Sequence, residues 1–227
     1  MELLESIKNR RSIKKYLDLE VPKEKVGMVI DAGASAPSSG NIQNWRFVIV
    51  KDKESRKRLA DSALQQHWME TAPVHIIVCA VIDTAKQFYG LRGEKLYSIQ
   101  NCASAIQNML LMAHSLGLGA CWVRSFDEEK VRRILAITEN ARPQAIITLG
   151  IPDEKPPEPS RIPLTHIAFL EKYNNKIDNL DAVMGYYGAD IQKKIEVGAE
   201  SMKNAATHIE KKSIGLFQKI KERFKKN

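Results

Sequence analysis

The hydrophobic pattern is strongest in two segments of the chain. Residues 74–82, VHIIVCAVI, form a nearly continuous β-branched run, which is typical of a central strand buried on both faces. Residues 97–116 have apolar side chains almost all round a helical projection, and their polar residues are amides and hydroxyls rather than charges. This pattern predicts a long buried helix, suited to an interface between subunits.

Weaker periodicities on either side of these segments predict a mixture of helices and strands. The predicted helices cover residues 2–9, 21–34, 53–68 and 127–135, and the predicted strands cover 45–52, 117–126, 143–152 and 166–173. Such a mixture around one long buried helix predicts an α+β or α/β sandwich rather than an all-helical or all-β fold. A Pro-rich stretch, 153–164, interrupts regular structure, and the pattern turns helical again beyond residue 178.

Charge and composition limit the classes of partner. The 227 residues have a formal charge of +8, but eight Lys or Arg and two Glu after residue 202 account for +6 of it. The basic character therefore belongs mostly to the tail, and we expect no nucleic-acid partner for the core. The tail is interpreted as a helical arm that packs on a dimer. The alternative is a basic amphipathic helix that contacts an anionic membrane.

The beginning of the chain and its cysteines indicate a cytoplasmic protein. The first residues mix charges throughout and lack the apolar core of a signal peptide. The longest apolar run is too short to cross a bilayer. Cys79, Cys102 and Cys121 lie in apolar stretches with no metal-binding spacing, so we interpret them as small buried hydrophobic residues.

The candidate chemistry is binding rather than nucleophilic catalysis, since no nucleophile elbow, phosphate loop or zinc motif occurs. Arg10, Arg11 and Lys14 surround Ser12, and such cations beside a hydroxyl suit a phosphate monoester. The alternative is that they are solvated charges next to a helix. A second stretch, SAPSSGNIQNW, concentrates uncharged donors and acceptors beside Gly40. Together the two stretches indicate a phosphorylated planar cofactor.

Four motifs in order resemble the FMN-dependent nitroreductase family. They are R-x-S-x-K at residues 10–14, P-S-S-x-N-x-Q-x-W at 37–45, QNMLLMAHSLGLGACWV at 107–123, and LGIP at 149–152 followed by SRIPL at 160–164. The resemblance covers roughly residues 3–170. It implies an α+β fold with an α/β/α sandwich, a mixed sheet and a long buried core helix. It also implies a homodimer with active sites at the interface. In that dimer, residues 166–173 would join the sheet of the partner subunit.

The resemblance implies an oxidoreductase with bound FMN. NADH or NADPH would supply a hydride, and a nitroarene, a quinone or a similar flat small molecule would accept electrons in a ping-pong scheme. The cofactor domain would cover residues 1–170 and the arm residues 171–227. Alternatives are a dehalogenase-like or other reduced-flavin enzyme and a non-catalytic flavin-binding or membrane-associated module. The choice of NADH or NADPH and the physiological acceptor stay open.

The resemblance also assigns roles to residues. Arg10 and Ser12 would contact the FMN phosphate and ribityl oxygens, Lys14 the pyrimidine edge, and Trp122 and Val123 would face the ring with their backbone. The other candidates are Arg11, Pro37, Ser38, Ser39, Asn41, Gln43, Gly150 and Arg161. Of these, the residues from Pro37 to Asn41 would reach the flavin from the partner subunit, and Arg161 would bind phosphate.

Three departures from the family pattern affect this site. Asn44 replaces the usual Pro before Trp45, which we expect to loosen the loop. At the position where members of the family often have a flavin contact, this chain has Gln65, Gln66 and His67. The sequence does not show which of the three would make that contact. The segment FYGLRGEKL at 88–96 is short for a substrate lid, so we expect an open pocket.

Overall fold

The computed structural model describes residues 2–185 together with Lys193 and Val197. The chain divides into two compact units, Met1–Glu158 and Pro159–Asn227. The division into a cofactor domain and an arm at residue 170 stays a prediction about function. Of the tail predicted to be helical beyond residue 178, the structure describes residues 179–185, Lys193 and Val197, and Leu180–Met184 form a helix there. The rest of that prediction lies outside the described residues.

Four strands form one sheet in the first unit. They are β1 (Trp45–Val50), β2 (Val74–Val81), β3 (Gly119–Val123) and β4 (Ala141–Gly150). Their order across the sheet is β1-β2-β4-β3, and every pair of neighbours is antiparallel. Among the described residues, parallel pairing is limited to one bridge between Ser12 and Ala120. The α+β class is therefore confirmed, with a sheet that is mixed only through that bridge.

Eight α-helices accompany the sheet in the described part of the chain. They are α1 (Leu3–Asn9), α2 (Lys23–Ala34), α3 (Lys53–Ser62), α4 (Ile82–Arg92), α5 (Ser98–Ser115), α6 (Glu128–Leu135), α7 (Leu164–Ile167) and α8 (Leu180–Met184). As expected from an acidic N-cap, the Asp127 carboxylate accepts a hydrogen bond from Lys130 N, 3.0 Å away.

Helices cover both faces of the sheet. Since successive side chains of a strand point to opposite faces, neighbouring residues of β2 join different clusters. On one face Ile76 packs into a cluster with Met109 of α5 and Val29 of α2. On the other face the next residue, Ile77, joins a cluster with Leu59 of α3 and Val131 of α6. This arrangement confirms the predicted central strand, the buried core helix and the three layers.

Two sequence-based expectations about element boundaries are wrong. Residues 166–173 were expected to form one more strand, whereas the expectation that this stretch joins a partner's sheet stays a prediction. Instead of a strand, α7 covers the first of these residues, and an isolated bridge pairs Phe169 with Lys176. Left-handed backbone at Glu171 and Asn174, with φ of 59° and 67°, bends the chain back there. The helix expected over 53–68 ends at Ser62, since Leu64 and Gln65 are also left-handed.

No helix among the described residues is long and apolar enough to cross a membrane.

Candidate functional site

The basic segment 10–16 lies along the free edge of β3. Ser12 pairs with Ala120, and the Ile13 amide donates to the Ala120 carbonyl at 3.1 Å. Further on, the Leu17 amide donates to the Ile151 carbonyl at 2.9 Å. Because the segment is extended, its side chains alternate. Ile13 is buried, whereas the neighbouring Ser12 and Lys14 are exposed.

Glu154 ties down the middle of this segment. Its Oε1 accepts hydrogen bonds from the backbone amides of Lys14 and Lys15, the second at 3.1 Å. Lys15 Nζ in turn lies 2.7 Å from the carboxylate of Asp153. The backbone of the segment is therefore satisfied by β3 and Glu154. The side chains of Ser12 and Lys14 take no part in this pairing of the backbone, and both are exposed.

A cavity of about 400 Å³ opens between this segment and the end of β3. It is lined by Arg10, Ser12, Lys14, Gln66, Trp68, Gln107, Leu110, Cys121, Trp122, Val123, Arg124 and Ser125. The structure thus brings together five of the residues expected from the sequence. Their placement agrees with the expected binding site, and their roles toward a cofactor stay predictions.

The lining of this cavity is cationic and aromatic. Arg10, Lys14 and Arg124 contribute positive charge, and none of the described carboxylates lines the cavity. Lys14 Nζ lies 5.6 Å from the centre of the Trp68 ring, and Arg124 Cζ lies 4.1 Å from the centre of the Trp122 ring. Such cation–π contacts hold both charged groups at the cavity. The combination suits a flat aromatic ligand that carries negative charge.

Two polar groups of the lining differ in what they can do. The indole Nε1 of Trp122 is buried without a hydrogen-bond partner among the described residues, so it is a donor available to a ligand. Burial raises the pKa of the Cys121 thiol, against the smaller opposing influence of Lys14. A thiol with a raised pKa is a poor nucleophile, so the cavity favours binding over covalent chemistry.

Tyr16 packs behind the basic segment. Its hydroxyl donates to the Ile13 carbonyl at 2.6 Å and lies 2.7 Å from Thr148 Oγ1, and burial raises its pKa. A Cβ at Gly150 would lie 2.7 Å from the Tyr16 ring and 2.7 Å from Pro73 Cδ. Gly150 therefore makes room for Tyr16 and is not part of the cavity lining.

The short helical turn His67–Thr71, which carries Trp68, is fixed by hydrogen bonds from side chains of β2 and α3. The buried His75 Nε2 lies 2.9 Å from the Met69 carbonyl oxygen, to which it donates. Arg56 donates to the carbonyls of Glu70 and Ala72 at 2.8 and 2.7 Å. These bonds position the Trp68 ring beside Lys14.

The loop 37–43 behaves differently, since it does not line the cavity of its own chain. Ser39 donates through its amide and its hydroxyl to Asn101 Oδ1, at 3.0 and 3.2 Å. The Gln43 amide donates to Ser38 Oγ at 3.0 Å, and Gln43 Nε2 donates to Asn41 Oδ1 at 3.0 Å. The loop therefore uses much of its hydrogen-bonding capacity on its own chain.

Gly40 and Asn44 fix the path of this loop. A Cβ at Gly40 would lie 2.1 Å from the Tyr89 hydroxyl, so within this chain Gly40 makes room for Tyr89. The expectation that Asn44 loosens the loop is wrong, since Asn44 is buried and ties the loop to α5. Its Nδ2 donates to Ser98 Oγ at 3.2 Å, and its Oδ1 accepts from Asn101 Nδ2 at 2.9 Å.

Two predicted phosphate ligands lie outside the cavity lining. Arg11 donates to the Lys8 carbonyl at 2.7 Å and lines a second, mostly apolar cavity of about 370 Å³. Arg161 lies in the other compact unit, in an exposed irregular stretch. Phosphate binding by either residue stays a prediction.

Gln66, one of three open candidates, lines the cavity, and its Nε2 donates to the Ser125 carbonyl at 3.4 Å. The residues of the lining that the sequence did not single out include Trp68, Gln107, Leu110 and Arg124. Gln107 and Leu110 come from α5, where their spacing of three places both on one face. Trp68 and Arg124 follow the ends of regular elements. The sequence could have indicated them only as polar or aromatic residues close to such ends.

The fold and the cavity together define a class of protein, a three-layer α+β domain with a cationic, aromatic cavity at the edge of its sheet. The model of the Nitroreductase family matches residues 7–68 and 62–151. This chain belongs to that family.

Relatives agree with this assignment. A Methanothermobacter thermautotrophicus protein, named as an NADH dehydrogenase/NAD(P)H nitroreductase, is 38% identical over 160 residues, which is 69% of this chain and 80% of that protein. A Bacillus subtilis FMN reductase [NAD(P)H] is 26% identical over 198 residues, 82% of this chain and 80% of that protein. The structure of Vibrio harveyi NADPH:FMN oxidoreductase complexed with NAD+ superposes with a TM-score of 0.69 at 25% identity, covering 86% of this chain and 85% of that one.

Proposed function

We propose that this protein is an FMN-dependent NAD(P)H oxidoreductase that reduces nitroaromatics, quinones or similar flat acceptors in a ping-pong scheme. The observation that carries the proposal is the cavity at the end of β3, where three cations and two Trp rings meet without a carboxylate. Relatives named as an FMN reductase and an NADPH:FMN oxidoreductase support the choice of cofactor and electron donor.

The residues of the cavity fit FMN. A volume of about 400 Å³ lies in the usual range for small-molecule sites. The unpartnered Trp122 Nε1 provides a buried donor, and the cationic lining suits a phosphate and a ring that becomes anionic on reduction. When bound, FMN would supply the redox chemistry, since a flavin accepts hydride and passes electrons on.

The chain's own residues would bind and orient the cofactor. Arg10 and Ser12 would contact phosphate and ribityl oxygens at one end of the cavity. Lys14, held against Trp68, would lie near the pyrimidine edge and stabilise negative charge there. No side chain is required as a nucleophile, which agrees with the raised pKa of the Cys121 thiol.

The active protein is proposed to be a homodimer. The loop 37–43 does not line the cavity of its own chain, so it would contribute to the cavity of a second copy. α5 presents the buried amide of Asn101 to this loop, and residues of the same helix line the cavity. A closed two-fold pair is the commonest oligomer. The three free cysteines are all buried, which is compatible with the proposed cytoplasmic setting.

An absorbance spectrum tests the cofactor directly. Purified protein is incubated with FMN, freed of excess by gel filtration, and scanned for the flavin bands. We expect a yellow protein that is bleached anaerobically by NADH or NADPH and reoxidised by a nitroarene or a quinone. A protein that elutes colourless, or a bound flavin that neither NADH nor NADPH reduces, would refute the proposal.

A further inference from the structure

Arg124 also lines the cavity, but none of the cofactor contacts proposed above involves this residue. It follows β3, four residues beyond Ala120, which corresponds to about 13 Å of extended chain from the Ser12 bridge. Because that bridge is parallel, Lys14 lies alongside β3 between Ser12 and Arg124, and Arg10 lies beyond Ser12 in the opposite direction. Arg124 therefore lies at the end of the cavity away from Arg10.

The guanidinium of Arg124 is held in place. Its Cζ lies 4.1 Å from the centre of the Trp122 ring, and stacking on an aromatic face leaves the N–H groups at the guanidinium edge free to donate. The side chain is exposed at the cavity rim. Its orientation thus does not depend on a ligand, which reduces the entropy lost when one binds.

No acidic residue described in the structure pairs with Arg124. The two nearest acids along the chain, Asp127 and Glu128, have other partners. Asp127 caps α6, and Glu128 accepts two hydrogen bonds of 2.8 Å from Arg142. Two N–H groups of a guanidinium match the two oxygens of a carboxylate or phosphate. Arg124 therefore has the geometry to bind such a group on an incoming molecule.

We infer that Arg124 is a specificity-determining residue that binds the anionic group of the small molecule docking at this end of the cavity, so that acidic flat acceptors are preferred over neutral ones. The inference rests on the proposed function and adds the substrate class. The same chemistry would recognise a carboxylate on the acceptor or the 2′-phosphate of NADPH, and the experiment distinguishes these two sources.

The experiment compares two acceptors of nearly equal size, 4-nitrobenzoate and 4-nitrobenzamide, with NADH as donor and FMN-loaded enzyme. For Arg124→Gln we expect the ratio of kcat/KM for the anion to kcat/KM for the neutral compound to fall by about fivefold, the size of effect typical of an exposed pair. Arg124→Lys keeps the positive charge but cannot donate two parallel hydrogen bonds to one anionic group. It should therefore retain part of the preference for the anionic acceptor. Arg58→Gln, which removes an exposed positive charge outside the cavity lining, should leave the ratio unchanged.

Salt provides a second readout that a structural role would not move. The preference of the wild type should weaken between low and high ionic strength, because an exposed ion pair is screened, whereas the rate with the benzamide should stay constant. In a second arm, NADPH and NADH are compared with the neutral acceptor. A fall in the NADPH:NADH ratio in Arg124→Gln would assign the anion to the donor.

Some outcomes would overturn the inference. Suppose that Arg124→Gln leaves the anion:neutral ratio and the NADPH:NADH ratio unchanged, or slows both nitroarenes equally. Arg124 then does not distinguish anionic from neutral molecules, although the proposed function stands. If the wild type binds FMN but reduces neither nitroarene nor a quinone with NADH or NADPH, the proposed function and this inference fail together.

Discussion

The basic segment 10–16 and the polar loop 37–43 were both expected to bind the flavin, and the structure uses them in opposite ways. In the basic segment, Ala120 and Glu154 satisfy backbone groups, and Ser12 and Lys14 face the cavity. In the loop, Asn101 of α5 accepts hydrogen bonds from the amide and the hydroxyl of Ser39, and Ser38 Oγ accepts one from the Gln43 amide. Side chains pair the main chain in both regions, but in the loop the loop's own polar side chains take part, which leaves fewer of their hydrogen-bonding groups for a ligand. The predictions below test this difference between the two regions.

The largest effect on stability is expected at His75, whose ring supports the turn that carries Trp68. Burial lowers the pKa of His75 from 6.5 to about 4, so the ring stays neutral in the folded protein at pH values where the unfolded chain binds a proton. Stability should therefore be lost as the pH falls from about 6.5 towards 4, by about 3 kcal/mol in total. Urea unfolding at a series of pH values measures the slope.

The exposed His67→Gln should keep the slope assigned to His75, and His75→Gln should lose it. An NMR titration of the wild type checks the same point without a variant. A buried imidazole that titrates near 6.5 would contradict the prediction.

The second effect concerns the loop and its anchor. Asn101→Ala removes the acceptor of two Ser39 bonds and the donor to Asn44 Oδ1. Leaving buried polar groups without partners should lower the free energy of unfolding by about 2.5 kcal/mol. Asn108→Ala on the same helix loses one bond, to the Ala32 carbonyl, and should cost about 1 kcal/mol. Equal costs would mean that the loop is not held through Asn101.

The third effect tests the cavity lining itself. Arg10→Ala should weaken FMN binding about 30-fold, or roughly 2 kcal/mol, as expected for a hydrogen bond to a charged group. Titration of the protein with FMN, followed by quenching of flavin fluorescence, gives the affinity. Arg58→Ala, outside the cavity, serves as control. An unchanged affinity for Arg10→Ala would remove the segment 10–16 from the phosphate site.

The smallest effect addresses how the segment 10–16 is supported. Glu154→Ala leaves the amides of Lys14 and Lys15 without their acceptor and should weaken FMN binding by about fivefold. Glu154→Gln retains an oxygen that can accept and should bind FMN nearly as the wild type does. If both variants bind equally, the pairing of the backbone is not what keeps Lys14 in place.

The sequence predicted best the elements that have little surface toward solvent. The β-branched run at 74–82 and the apolar stretch at 97–116 gave β2 and α5, because an element with little exposed surface has apolar residues on nearly all its faces. Residues 166–173 were predicted as a strand, but left-handed turns at Glu171 and Asn174 decide the path of the chain. Glu171 does not indicate such a turn as Gly would, whereas Asn adopts this conformation more often than most residues do.

By itself, the sequence determined the fold class, the family resemblance and the basic motif that carries Arg10, Ser12 and Lys14. Only the tertiary structure decided that Ser12 lies against Ala120, that Trp68 reaches Lys14, and that Asn44 ties a loop to α5 rather than loosening it. The physical reason is that periodicity and motif spacing are local. The partners that satisfy a backbone and the residues that meet in a cavity come from distant parts of the chain, and only packing brings them together.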